Sequence, residues 1–166
     1  MIPYAPPMSS QPKFVAPGVG PRIPGPGGDI SILKLVAAES GGLLSLTEYI
    51  CQPNAGPPLH MHAHEDETFW ILEGEITFSV DGKKIVAGAG AMVYGPRAVP
   101  HAFKNLTGHP ARMLLIVTPP ANFEAFYAKI GVPNPDGSTP TEQQVKERIG
   151  RLAPVHGMTI LGANPL

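Results

Sequence analysis

The sequence predicts an all-β domain with helices at its C-terminal end. Short apolar segments recur between residues 29 and 120, and glycine turns separate them. Even spacing of this kind is typical of a small β-sandwich or barrel, because no helix is needed to join the strands. The 21 prolines and 19 glycines also favour short strands and turns over long helices. A chain of 166 residues suits one domain with a sizeable core.

Residues 1–28 are predicted to form a Pro/Gly-rich N-terminal arm. They contain eight prolines and five glycines, and proline is unsuited to a helix interior or a central strand. A disordered leader is one interpretation. An extended arm laid along the barrel or along a partner subunit is the other. The arm is favoured because it has apolar side chains to bury, namely Tyr4, Met8, Phe14, Val15 and Ile23.

The barrel itself is predicted over residues 29–120. The segments ISILKLVAAE and LLSLTEYIC form a hairpin about Ser40, Gly41 and Gly42, although alternation leaves the inward face of the second segment ambiguous. Strands at 68–72 and 75–80 are expected to pair, with Gly74 near the bend. Asp81-Gly82 indicates a tight hairpin turn because these residues tolerate positive φ. The remaining strands are predicted at 83–87, 91–94, 102–106 and 112–118.

Residues 121–166 are predicted to be a helical extension that packs on the barrel. Asn122 can cap a helix over 123–130 that presents Phe123, Phe126 and Ile130 on one side.

A second helix is expected to begin with Thr139 as the cap, Pro140 in the first helical position and Glu142 in the third. It would end near Leu152, with an apolar stripe that includes Val145 and Ile149. The apolar tail at 157–166 is expected to add an edge strand.

A histidine-rich stretch at 56–74, GPPLHMHAHEDETFWILEG, predicts a metal site. On an extended strand His60 and His62 share one face, so their imidazoles can converge on one ion. Glu67 can join them if the chain turns at Glu65-Asp66 and returns as a neighbouring strand. Two imidazoles and a carboxylate suit divalent transition metals. The alternatives are a rival pairing of His62 with His64 and an exposed histidine-rich loop.

A second stretch at 90–105, GAMVYGPRAVPHAFKN, brings another histidine into a turn and strand. Together the two stretches resemble the paired motifs of the cupin superfamily. His60, His62, Glu67 and Gly74 fit the first motif, G-x5-H-x-H-x(3,4)-E-x6-G. The second motif, G-x5-P-x-G-x2-H-x3-N, is fitted at four positions: Gly90, Pro96, His101 and Asn105.

Two backbone positions depart from the cupin motifs. Asn54 stands where the first motif begins with glycine, and Ala98 replaces the glycine that follows the proline of the second. Both departures concern turn geometry and leave the possible ligands in place. The helices and the C-terminal tail further resemble small single-domain cupins of the quercetinase-like type.

The resemblance implies a jelly-roll β-barrel that binds one divalent transition metal: Fe, Mn, Ni, Co, Cu or Zn. The implied ligands are His60, His62, Glu67 and His101. Such a set leaves one or two coordination positions open, as a catalytic site requires. Glu67 could also act as the catalytic base on a metal-bound substrate hydroxyl. Small cupins commonly pair, so a homodimer is expected.

Strand alternation predicts the surroundings of this site. Phe69, Ile71 and Phe103 share faces with the ligands and are expected to line a substrate pocket, although each could simply fill the core. Trp70 points the other way and is expected under a helix or at a subunit contact. Asn105 is expected to orient a turn and Cys51 to be a core residue. Lys104, His109 and His156 are expected at the surface, and His64 either there or next to the metal ligands.

Composition restricts the partners and the location. A net charge of -1 gives no indication of nucleic acid or an anionic membrane as a partner. The apolar runs are too short to span a bilayer, and the N-terminus lacks the features of a secretory signal. The single Cys51 suits a reducing compartment, so the expected location is cytoplasmic.

Three classes of function remain open from sequence. The leading hypothesis is a metal-dependent enzyme acting on a small aromatic or enolisable compound, such as a quercetinase-like dioxygenase. The second is a redox-neutral isomerase, cyclase, dehydratase or decarboxylase. The third is a non-catalytic cupin that binds a small molecule. Retention of all four ligands disfavours the third class, and fold alone does not choose among them.

Overall fold

The computed structural model describes residues 11–121 and 123–166, in which two antiparallel sheets face one another. The first sheet has the order β1-β2-β3-β10-β5-β8, and the second has the order β11-β4-β9-β6-β7. The predicted all-β jelly roll with C-terminal helices is confirmed. The elements are β1 (Arg22–Pro24), β2 (Ile30–Leu35), β3 (Ser45–Cys51), β4 (Leu59–His62), β5 (Asp66–Glu73), β6 (Glu75–Val80), β7 (Lys83–Gly88), β8 (Met92–Gly95), β9 (His101–Lys104), β10 (Ala111–Thr118), α1 (Phe123–Ile130), α2 (Glu142–Leu152) and β11 (Met158–Gly162).

The core lies between the sheets because successive strand residues point to opposite faces. Buried and half-buried residues alternate along the whole of β10. Phe69 from the first sheet packs against Phe78 and Phe103 from the second. The ring centroids of the three lie 5.1–5.8 Å from one another. Burying each such side chain stabilises the fold by roughly 1.5–3 kcal/mol. This aromatic cluster fills the barrel interior beyond the histidines.

The structure resolves which face of β3 points inward. Ser45, Thr47 and Tyr49 are buried, whereas Leu46 is half-buried on the outer face. Leu46 instead lines an outer groove together with Val15 of the N-terminal arm. The N-terminal arm therefore lies against the apolar outer face of β3. The inner face of β3 carries the hydroxyl groups of Ser45, Thr47 and Tyr49.

The predicted pairing of strands 68–72 and 75–80 is wrong. β5 pairs with β10 and β8 in the first sheet, whereas β6 pairs with β7 and β9 in the second. Gly74, with φ 76°, turns the chain from one sheet to the other beside Ala111. The predicted hairpin between β6 and β7 is confirmed, with positive φ at both Asp81 and Gly82.

The C-terminal elements match their predictions except at one helix start. α1 has the predicted bounds, and its predicted cap, Asn122, lies outside the described residues. The cap of α2 is Thr141 and not Thr139, because its hydroxyl accepts a hydrogen bond from the backbone N–H of Gln144, whose side chain binds back to Thr141. The predicted edge strand is β11, which pairs with β4.

Part of the predicted N-terminal arm pairs with the barrel as β1, beside β2. Ile23 of this strand packs closely against Gly131, the residue that follows α1, and leaves no space for a larger residue there. The arm therefore reaches the end of α1. Phe14 is 90% exposed, while Tyr4 and Met8 lie outside the described residues. Neither of the two α-helices in residues 11–121 and 123–166 is long and apolar enough to cross a membrane.

Candidate metal centre

The second sheet places three histidines side by side. His60 and His62 are both buried on β4, whereas Leu59 and Met61 alternate to the other face and are half-buried. His101 on β9 is the register partner of His60, and their ring centroids lie 4.5 Å apart. His62 stacks on His101 at 5.6 Å. The three rings therefore converge inside the barrel, as alternation on β4 predicts.

Glu67 reaches these rings from the opposite sheet. The predicted return of the chain as a strand adjacent to β4 is wrong, since β5 pairs with β10 and β8. The carboxylate oxygen Oε2 of Glu67 lies 2.8 Å from Nε2 of His101 and 3.6 Å from Nε2 of His62. One ligand atom from each of the four residues lies within 4.8 Å of the other three. The set could hold a metal ion between the sheets.

Backbone carbonyls orient two of the rings. Nδ1 of His60 lies 2.9 Å from the carbonyl oxygen of Pro58, and Nδ1 of His101 lies 2.9 Å from that of Val99. A proton on each Nδ1 leaves Nε2 free for a metal, because the hydrogen bond at one ring nitrogen selects the tautomer.

A buried carboxylate orients the third ring. Glu65 is 1% exposed, and its Oε2 lies 3.6 Å from Nδ1 of His62. The sequence alone predicts no more than a turn at Glu65. Its place three residues after a ligand could have signalled the role, because a carboxylate beside a ligating imidazole commonly fixes the orientation of that ring.

The pKa values of His60, His62 and Glu67 depart strongly from their ordinary values. Burial, followed by the neighbouring His101, lowers the pKa of His60 to about 3. Burial also lowers the pKa of His62, but the carboxylates of Glu67 and Glu65 outweigh it and raise this pKa to about 10. Burial raises the pKa of Glu67, yet the adjacent His62 and His101 hold it well below its usual range. The site thus has an anionic carboxylate and one strongly basic imidazole.

The donor set fits a divalent transition metal. Within the described chain, the buried Nε2 of His62 has no hydrogen-bond partner, and this atom faces the carboxylate of Glu67. An orphaned buried polar atom is costly unless something binds it. Imidazole nitrogens with one carboxylate suit iron, nickel, copper, zinc and related ions. These donors leave room for an exchangeable position on a six-coordinate ion.

The other histidines lie outside this cluster. His64 is exposed, so the rival pairing with His62 is not formed, and His109 is exposed as predicted. The predicted surface position of His156 is wrong. His156 is buried against Phe126 of α1, with a centroid distance of 5.9 Å, and its Nε2 lies 3.1 Å from Nζ of Lys129. It belongs to a short 3-10 turn that packs on α1.

Asn105 holds the turn after β9, as predicted. Its side-chain amide donates to the carbonyl oxygens of Cys51 and His109, and its Oδ1 accepts from Thr107. Cys51 is fully buried, and burial followed by Asp29 raises the pKa of its thiol. It is therefore a core residue. Lys104 is half-buried and donates to the carbonyl oxygen of Leu166 rather than only to solvent.

The two departures from the cupin motifs both adopt left-handed backbone conformations. Ala98 has φ 60° and Asn54 has φ 62°. Glycine reaches this region without strain, which explains the motif residue at both positions. Arg97 stabilises the loop beside Ala98 through two side-chain hydrogen bonds and one backbone hydrogen bond to Asp66. The loop before His101 is therefore well anchored despite the substitution.

A largely apolar cavity opens beside the metal cluster and offers about 60 Å³ of space to solvent. The predicted pocket residue Phe103 lines it, whereas Phe69 and Ile71 lie in the core, with the Phe69 ring 6.4 Å from His101. Trp70 is 47% exposed on the outer face and is not under a helix. The described lining residues are Gly25, Pro26, Ser31, Tyr49, Pro57, Pro58, His60, Glu67, Phe103, Leu115, Phe126, Tyr127, Ile130, Ile149, Met158 and Ile160.

Comparisons with known proteins agree with this architecture. Residues 47–117 match the family described as Cupin domain. The chain is 32% identical to quercetin 2,3-dioxygenase of Bacillus subtilis over 85 residues, which cover 51% of this chain and 25% of that protein. It is 31% identical to an uncharacterized protein of Methanocaldococcus jannaschii over 80 residues, which cover 48% of this chain and 64% of that protein. The chain therefore spans less than two thirds of either relative.

The fold extends the similarity beyond the matched segments. The polyketide cyclase RemF of Streptomyces resistomycificus superposes with a TM-score of 0.57 at 23% identity, covering 65% of this chain and 80% of that one. At this identity the likeness concerns the fold alone. The two motifs, the paired sheets and the family match lead to one conclusion: residues 47–117 are similar to cupin domains.

Proposed function

We propose that this protein is a metal-dependent enzyme that acts on a small aromatic or enolisable compound, with a quercetinase-like dioxygenase as the leading reaction. This proposal rests on one observation: two of the four candidate metal ligands also line the cavity. His60 and Glu67 belong to both. A divalent ion held by the four residues would act as a Lewis acid toward a substrate oxygen.

The lining favours an uncharged substrate. Glu67 is the only acidic side chain among the described lining residues, and none of them is lysine or arginine. A phosphate or carboxylate substrate would lack the charge-assisted hydrogen bonds that normally bind such groups. Phe103, Leu115 and Phe126 instead offer apolar surface to a flat ring.

Glu67 is proposed to act as the proton acceptor. His62 and His101 outweigh the effect of burial and hold its pKa well below the usual range, so Glu67 is ionised but weakly basic and would depend on the metal to acidify the substrate hydroxyl. A substrate hydroxyl that enters the cavity would meet this carboxylate directly. General-base action of this kind typically contributes ~10²–10⁴-fold to a rate.

A redox-neutral reaction, such as cyclisation, isomerisation, dehydration or decarboxylation, is the second candidate. The carboxylate beside three imidazoles favours it, since a base and a Lewis acid suffice for proton transfer without dioxygen. A non-catalytic binding role is disfavoured because the four residues converge on one point. Both enzymatic candidates require the same metal site, and dioxygen distinguishes them.

The test begins with protein purified without chelators or a His-tag. About one equivalent of transition metal is expected by elemental analysis. Flavonols and polyphenols are then incubated with the protein, with and without dioxygen, and substrate loss is followed by absorbance. Loss coupled to oxygen uptake supports the dioxygenase, and equal loss under argon supports the redox-neutral reaction. Protein that neither retains nor takes up a transition metal contradicts both.

A further inference from the structure

The helix α1 brings aromatic side chains onto the metal cluster. Phe123 lies 6.1 Å from the ring of His62 and 4.6 Å from that of Tyr127, which follows it by one helical turn. Tyr127 also contacts Phe126 at 5.6 Å. It packs against both hydrophobic clusters of the fold and lines the cavity. Its ring is therefore held from several sides.

The hydroxyl of Tyr127 is a polar group on a ring that packs against two apolar clusters. Among the residues that the structure describes, none forms a hydrogen bond with this hydroxyl. Burial, followed by the carboxylates of Glu67 and Asp29, raises the pKa of Tyr127. The phenol therefore stays protonated at neutral pH, as an ordinary tyrosine does. It is a hydrogen-bond donor on the wall of the cavity that Glu67 also lines, and no described acceptor uses it.

The other hydroxyls of the lining are less suited to a substrate held at the metal. Tyr49 donates to Oδ2 of Asp29 at 2.6 Å, so its proton is already engaged. Ser31 lies on β2, and the sheet order places β2 three strands from β5, which carries Glu67. Strand spacing puts these two strands about 14 Å apart along the sheet.

We infer that Tyr127 donates its phenolic hydrogen to a substrate oxygen next to the oxygen that the metal binds. The inference rests on the proposed function and narrows its substrate class. The substrate carries two neighbouring oxygen atoms, as a catechol, hydroxyketone or flavonol does, on an uncharged aromatic or enolic framework. One oxygen meets the metal and Glu67, and the other accepts from Tyr127.

The second oxygen distinguishes this class from simple phenols. Deprotonation of the metal-bound oxygen leaves charge that conjugation shares with the neighbouring oxygen, and this charge strengthens the hydrogen bond that the neighbour accepts from Tyr127. A compound with a single oxygen would leave the Tyr127 hydroxyl buried against apolar atoms, which costs free energy. Tyr127 thus selects for the second oxygen without contacting the metal.

The probe is 4-nitrocatechol, titrated under argon into protein loaded with Co²⁺ and followed by absorbance. Tyr127→Phe removes only the hydroxyl, and since that hydroxyl has no described partner the fold is expected to persist. The dissociation constant should rise roughly 10- to 100-fold, the effect of losing one hydrogen bond to a charged oxygen. The absorption maximum of the bound nitrocatecholate should also shift. Tyr94→Phe, at an exposed tyrosine of β8 outside the cavity lining, is the matched control and should change neither readout.

The outcomes separate the inference from the proposed function. Unchanged affinity and spectrum in Tyr127→Phe would overturn the role of Tyr127 while leaving the proposed function in place. Loss of cobalt from that variant would also overturn it, because Tyr127 would then act on the metal centre itself. If the parent binds cobalt but not 4-nitrocatechol, the proposed substrate class fails and the inference fails with it. Cobalt content and thermal denaturation of each variant are measured alongside.

Discussion

The backbone N–H of Ala98 donates a hydrogen bond of 2.7 Å to the carbonyl oxygen of His62. This bond joins the loop before His101 to the strand that carries the other two histidines. The Arg97–Asp66 ion pair holds the same loop to the start of β5. Three segments that carry ligands are therefore linked by contacts next to the cluster, independently of any metal.

Replacing Ala98 with glycine is expected to stabilise the protein. Its φ of 60° costs an alanine about 1–2 kcal/mol, and glycine removes that strain at the expense of a more flexible unfolded chain. A net gain of about 1 kcal/mol in the free energy of unfolding is expected from urea denaturation. Ala63→Gly, at an exposed site that lacks positive φ, should instead lose about 0.5–1 kcal/mol. A loss in Ala98→Gly would contradict the strain argument.

His62→Ala is expected to deplete the metal. The variant removes an imidazole that faces Glu67 and leaves three ligands in an unbalanced set. Elemental analysis of purified protein should show metal content falling several-fold. His64→Ala is the matched control, since His64 is exposed, and it should retain the parent content. The reverse pattern would show that the rival pairing is the functional one.

Glu67→Gln separates the two roles of that carboxylate. Glutamine keeps one oxygen donor but cannot accept a proton. If Glu67 is both ligand and base, the variant should retain much of the metal while turnover falls ~10²–10⁴-fold. Metal content and the rate of substrate loss are measured on the same preparation. Parent-level turnover in the metal-bound variant would exclude Glu67 from the mechanism.

Asp29 is expected to make stability depend on pH. Burial outweighs its hydrogen bonds from Tyr49 and the backbone of Gln52 and raises its pKa from 3.8 to about 6. The folded protein then binds this proton more tightly than the unfolded chain does. The stabilisation is complete below pH 3.8 and is lost as the pH rises to about 6. The loss is of the order of 1–3 kcal/mol.

Asp29→Asn cannot titrate, so its free energy of unfolding should fall less between pH 4 and pH 6 than that of the parent. Denaturant unfolding at each pH measures the difference. Asp136→Asn is a control of opposite sign, because hydrogen bonds from Ser138 lower the pKa of this exposed carboxyl. Identical pH profiles for Asp29→Asn and the parent would contradict the raised pKa.

A homodimer stays a prediction from the cupin resemblance. Sedimentation at micromolar concentration should give a dimer mass. If the arm contributes to the contact, deleting residues 1–20 should weaken association while keeping β1 intact. A monomeric full-length chain would contradict the prediction.

Local features of the sequence sufficed for much of the fold and of the site. Alternation on a single strand put His60 and His62 on one face, because side chains two apart point the same way. Positive φ at Asp81 and Gly82 follows from the chemistry of a two-residue turn. The spacing of the two motifs indicated which histidines and which glutamate lie together. Each of these inferences needs only a few neighbouring residues.

Tertiary structure decided how those segments meet. Proximity along the chain favours pairing of β5 with its chain neighbours, whereas Glu67 reaches the histidines from the opposite sheet. The burial of Glu65 and His156 is likewise not evident from the local sequence. Pairing and burial depend on contacts between residues far apart in the chain, and two sheets that pack face to face create them together. No local pattern specifies which partner a strand selects, because that choice minimises the exposed apolar surface of the whole barrel.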